Sequence, residues 1–124
     1  MATFSKEILS GSVDGKLIIV GAGSPGGGST IIHTASSTAT TIDEVWVYAN
    51  NCHSADIKLS IQWGAYSSNE TNLMEMTIPT EGGLTLVIPG LVMKGNASTA
   101  LFCAAFAATT SMINLSGYVN RITA

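Results

Sequence analysis

Apolar and polar side chains alternate with a two-residue period along much of this chain, and no stretch sustains the 3.6-residue apolar period of an amphipathic helix. The clearest run is Ala55 to Trp63, where Ile57, Leu59, Ile61 and Trp63 share one face and Lys58, Ser60 and Gln62 the other. That is the pattern of a strand with one face on a core. From Ile42 to Asn50, Val45, Val47 and Ala49 lie opposite Trp46 and Tyr48, so both faces of that strand call for cover. The short polar link Asn50-Asn51-Cys52-His53-Ser54 predicts that these two strands form an antiparallel hairpin.

Further strands are expected over Leu73 to Ile78, Gly83 to Ile88, Ala100 to Ala107 and Met112 to Ile122, with shorter ones over Leu17 to Val20, Thr30 to Thr34 and residues 4–10. Pro79, Gly82-Gly83, Pro89-Gly90, Lys94-Gly95-Asn96 and Thr109-Thr110-Ser111 punctuate them. Many short strands at this spacing predict one all-β domain over residues 1–124, an antiparallel β-sandwich, jelly-roll-like, of about eight strands. Residues 1–30, with the loop Gly21-Ala22-Gly23-Ser24-Pro25-Gly26-Gly27-Gly28, read as an N-terminal arm or flexible region.

Composition sharpens this picture. Hydrophobic residues make up 46% of the 124 positions and charged residues 10%, against about 25% charged in an ordinary soluble domain. Free monomers keep mixed charge on their surfaces against association, so a chain this poor in charge is expected to pack against copies of itself or a larger assembly. The five basic residues stand singly against eight acidic ones, for a net charge of −3. With no basic stripe for phosphate contacts, direct nucleic-acid binding is not expected. Neither a spanning apolar run nor the basic start and apolar core of an export signal is present, which predicts synthesis in a cytoplasm and no membrane partner. Cys52 and Cys103 are expected as free thiols, Cys103 serving as a small hydrophobe in its strand.

Candidate chemistry is thin. Gly21-Ala22-Gly23-Ser24-Pro25-Gly26 matches G-x-G-x-x-G after an apolar run, with Asp43 and Glu44 about 20 residues on. That motif needs a helix opening at its end to meet a pyrophosphate, whereas loop and then strand are expected here, so no cofactor is assigned. Cys52 and His53 are adjacent, and side chains of neighbours on a strand point apart. A thiolate–imidazole pair would need a distant partner such as His33, so no catalytic residue is assigned. The carboxylates Asp14, Asp43, Glu44, Asp56, Glu70, Glu75 and Glu81 lack the spacing of a calcium loop, and no metal site is expected. Asp43 and Asp56 read as charges at the ends of the predicted hairpin. The sequons at Asn69, Asn96 and Asn114 carry meaning only in a secreted eukaryotic protein.

More informative are the aromatic residues on the second faces of strands. Trp46 and Tyr48, Phe102 and Phe106, and Tyr118 each lie opposite a run of core-type residues. A core wrapping both sides would use them. So would a contact with another subunit, since interfaces favour Tyr, Trp and Phe and exclude charge, and the low surface charge favours contact.

The run Asp43 to Asn50, together with Asp56 to Gly64, Gly83 to Leu91 and the ending Gly117-Tyr118-Val119-Asn120-Arg121-Ile122, resembles small virion structural proteins of tailed bacteriophages, over roughly residues 42–122. Such proteins are similar to the capsid decoration, or cement, group. The resemblance implies a non-enzymatic β-sandwich subunit on the capsid exterior, made in the host bacterial cytoplasm. Its implied partners are itself, with a trimer favoured over a dimer, and the major capsid protein. It carries over no functional residues, and the glycine loop departs from it. The competing reading is a tail, spike or head-fibre module that binds a host surface glycan, with Gln62, Trp63, Tyr66, Ser67, Ser68 and Asn69 as its aromatic-plus-polar cluster.

Overall fold

The computed structural model describes residues 2–24, 29–64 and 72–124. Among them are nine strands and no helix: β1 (Thr3–Ile8), β2 (Ile18–Val20), β3 (Thr30–Thr34), β4 (Thr41–Asn51), β5 (Ile57–Gly64), β6 (Leu73–Ile78), β7 (Thr85–Lys94), β8 (Phe102–Ala107) and β9 (Ile113–Thr123). One sheet has the order β1-β9-β4-β7, with β2 also on β9, and the other the order β3-β8-β5-β6. Every ladder is antiparallel. The pairs β2–β9, β3–β8, β4–β7 and β5–β6 nest around a common midpoint between Gly64 and Leu73, as if one long hairpin had been rolled up. That connectivity is the jelly roll.

The core follows from the alternation. Val45, Val47 and Ala49 on β4 and Ile113, Leu115 and Val119 on β9 face Leu59 and Ile61 on β5 and Cys103, Ala105 and Ala107 on β8, all buried. Burying each Ile or Leu side chain contributes about 1.5–3 kcal/mol, and the two inner faces interdigitate as in any sandwich.

The predicted β4–β5 hairpin is not formed. β4 lies between β9 and β7, and β5 between β8 and β6 in the opposite sheet. Alternation specifies which side of a strand faces the core, and that is satisfied equally by a hairpin or by a crossing between sheets. Residues 50–54 make the crossing around the buried Asn51. Its Nδ2 donates to the carbonyls of Ala55 and Ile78, both at 2.9 Å, and its Oδ1 accepts from the His53 N–H at 2.8 Å.

Pro89-Gly90, read as a break, lies inside β7. β7 is an edge strand, where a proline without an N–H leaves no ladder bond missing. The register shifts against β4 between Val45 and Trp46, a bulge that Gly90 accommodates at φ +76°. The first thirty residues, expected as an arm or flexible region, contribute β1 and β2, which follow one another along the same edge of β9. Residues 25–28 of the glycine loop lie outside the described residues.

Candidate functional site

Three of the five predicted contact aromatics share a surface, and two do not. Trp46, Tyr48 and Tyr118 project from the outer face of the β1-β9-β4-β7 sheet and are half-buried. Phe102 and Phe106 belong to β8, on the outer side of the opposite sheet, because Cys103, Ala105 and Ala107 of that strand occupy the core. Phe106 is buried within the subunit at 8% exposure. It therefore has little surface left for a partner, and the five residues form no single patch.

The outer face of the first sheet is organised in rows across β1, β9 and β4. Phe4, Ile122 and Ile42 form one row, Lys6, Asn120 and Glu44 the next, and Ile8, Tyr118 and Trp46 the third. The Trp46 and Tyr118 rings stack at 6.4 Å between centroids, with their planes 15° apart. The Lys6 Nζ sits 4.7 Å above the Tyr118 ring, a cation–π contact. Trp46 lies flat toward β7, where a Cβ on Gly90 would come within 2.8 Å of its ring. Glu44 anchors the row, accepting from Trp46 Nε1 at 2.6 Å and Asn120 Nδ2 at 3.0 Å. Those two bonds, Trp46 first, hold its carboxyl below the ordinary glutamate value.

Around this polar strip the face exposes large apolar side chains, with Asn50, Lys94, Asn114 and Ser116 also on it. Phe4 is 72% exposed, Ile8 53% and Val92 56%, and Ile19, Ile42 and Leu86 are also exposed. β1 was legible only as a short β-like run, so Phe4, Lys6 and Ile8 were missed as members of this surface. The alternate spacing of Phe4, Lys6 and Ile8 was their signal, but which strand they would join was not in it. A shallow depression of about 430 Å³ opens among Phe4, Lys6, Glu44, Asn120 and Ile122.

The remaining candidates are structural. Asp43, expected to charge a hairpin end, is 1% exposed and joins the two sheets. It accepts from Arg121 Nε at 2.7 Å, from Arg121 Nη2 at 2.9 Å and from His33 Nε2 at 2.8 Å. The Ser10 N–H donates to His33 Nδ1 at 3.1 Å, which assigns the imidazole proton to Nε2. A bulge in β3 between Ile31 and His33 lets Ile32 and His33 both turn inward. Burial alone would raise the Asp43 pKa, but the bonds to Arg121 and His33 outweigh it and leave the group below its ordinary value. This His–Asp pair is sealed from solvent and works as a tie.

Cys52 is exposed, donating to the Met112 carbonyl at 3.1 Å and accepting from Asn114 Nδ2 at 3.2 Å, so His33 is not its partner. Cys103 is a free, buried thiol whose pKa is pushed up to about 12 by desolvation. After the G-x-G-x-x-G segment comes β3, a strand where a dinucleotide site needs a helix. Among the described residues no group of three or more His, Cys, Asp or Glu is placed to hold a metal, and no helix is long and apolar enough to cross a membrane. Of the glycan cluster, Gln62 is fully buried and Trp63 packs against the core. Tyr66, Ser67, Ser68 and Asn69 lie outside the described residues. Compared with models of protein families and with curated protein sequences, the chain matches none.

Proposed function

We propose that this chain is a non-enzymatic structural protein of a tailed-phage virion, a decoration or cement subunit that binds the outer surface of the expanded head. The observation that carries the reading is the uncovered outer face of the β1-β9-β4-β7 sheet, where exposed Phe4, Ile8, Ile42, Leu86 and Val92 surround a stacked Trp–Tyr pair. Contiguous apolar surface rimmed by polar groups marks a contact site, and aromatic anchors are what such contacts use. The likeness of residues 42–122 to small phage virion proteins supplies the kind of assembly. In it, a subunit that binds the expanded shell and not its precursor stabilises the expanded form by mass action. Many modest contacts repeated by symmetry then suffice.

The test is co-sedimentation of purified protein with expanded and unexpanded heads of the phage that encodes it. Saturable binding to expanded heads, at a fixed number of copies per particle, is the expected result. Binding to neither form removes the proposal.

A further inference from the structure

The rows on the outer sheet face have a symmetry of their own. β1 and β4 are both antiparallel to β9 and flank it, so they run parallel to each other. A two-fold axis laid along β9 in the plane of contact exchanges the positions of β1 and β4 while keeping every row at its own level. Facing a second copy in this way sets Phe4 over the partner's Ile42, Lys6 over the partner's Glu44 and Ile8 over the partner's Trp46, each contact occurring twice. On the axis, Ile122, Asn120 and Tyr118 meet their own copies.

We infer that the chain self-associates as a two-fold dimer through the outer face of β1-β9-β4, with Lys6 and Glu44 forming reciprocal ion pairs between subunits. Apolar groups then meet apolar groups and the two charges meet opposite charges, which is the self-complementarity an isologous interface requires. Lys6 leans across the face over Tyr118 instead of away from it, and Glu44 is kept ionised by Trp46 and Asn120, so both charges are in place before contact. The depression over Asn120 falls on the axis, where water can bridge the two amides.

The available area suits such a dimer. At sheet spacing, the 11 residues of β9 and the six-residue stretches of β1 and β4 that face each other span about 360 Å² of flat surface per copy. Side-chain relief raises this toward the roughly 800 Å² per partner of a standard interface. This inference deepens the reading above by giving the face there read as a contact surface to a second copy, so that the dimer would meet the head through its remaining surface; it rests on that reading only for its biological setting.

A charge-exchange experiment tests it. Lys6→Glu sets two carboxylates against each other across the axis, and Glu44→Lys sets two ammonium groups. Each variant alone is expected to raise the dimer dissociation constant at least about tenfold, measured by sedimentation velocity, with circular dichroism confirming the fold. An equimolar mixture of the two variants restores both pairs and is expected to form heterodimers. A dimer unaffected by either change, or single variants that weaken and a mixture that does not recover, overturns the inference, as does a trimer of the unmodified chain.

Should Glu44→Lys fail to fold, Asn120→Cys in a Cys52→Ser background keeps the question answerable. A short bismaleimide is expected to link Asn120→Cys to its own copy and to leave Thr77→Cys, on the opposite sheet, unlinked; equal linking of both overturns the axis. Head binding without dimers would sink this inference and spare the proposed function, and dimers without head binding would do the reverse.

Discussion

Replacing Asp43 with Asn keeps the volume of the side chain and removes the charge that joins the two sheets. The asparagine nitrogen would point an N–H at either the Arg121 guanidinium or the His33 Nε2–H, both of which already donate to that position. Removing one partner of a fully buried ion pair costs about 3–5 kcal/mol. Arg121 is 28% exposed and recovers part of its hydration, so we expect a loss of about 2–3 kcal/mol at pH 7. For a domain of this length that lowers the midpoint of thermal unfolding by roughly 6–15 °C. Urea unfolding followed by the fluorescence of Trp46 and Trp63 measures the free energy directly.

The pH dependence gives a second reading of the same contact. A carboxyl whose folded pKa lies below its unfolded value contributes stability that is complete above the unfolded value, 3.8 for this group, and is lost as pH falls through the folded one. The gap between the natural chain and Asp43→Asn is therefore constant in this contribution above about pH 5. It narrows below 3.8 by up to about 1.4 kcal/mol per pH unit. A difference under about 1 kcal/mol at neutral pH, or one that widens toward pH 3, would refute the assignment of Asp43 as the inter-sheet tie.

Gly117→Ala places a Cβ 1.9 Å from the Trp46 carbonyl oxygen, so β4 and β9 must separate. We expect a loss of at least about 2 kcal/mol, or no soluble folded protein, in thermal denaturation. Phe106→Ala is expected to destabilise the subunit by about 3 kcal/mol and leave association unchanged, whereas Trp46→Ala should weaken self-association several-fold in sedimentation at a smaller stability cost. Titration with an aromatic disulfide at pH 8 should label Cys52 within minutes and Cys103 only after denaturant is added, because burial keeps Cys103 protonated. Two fast thiols in the native protein would contradict the packing of β8.

The alternation of β5 identified Ile57, Leu59 and Ile61 as inward residues, and Thr30–Thr34 and Leu73–Ile78 fall where the pattern put them. Trp46, Tyr48 and Tyr118 could be recognised as second-face aromatics for the same reason. A two-residue period records which side of a strand each residue takes, and side is a local property. Local turn chemistry likewise named Pro79 and the glycines as breaks, but not the bulge at Gly90, whose need arises from the pairing of β7 with β4.

Partner choice is a property of the folded chain alone. Val45 and Val47 would face a core equally well beside β5 or beside β9, and only the closing of two sheets over one interior, with edges at β1, β2, β3, β6 and β7, selects β9. The same closure brings His33, Asp43 and Arg121 together across separations of 10 and 78 residues, a constellation no short spacing announces. It also lays Phe4, Lys6 and Ile8 level with Ile42, Glu44 and Trp46. The sequence by itself thus determined the strands, their inward faces and the scarcity of surface charge, because these depend on neighbours along the chain. The tertiary structure decided the strand order, the buried tie and the symmetric outer face, because these depend on neighbours in space.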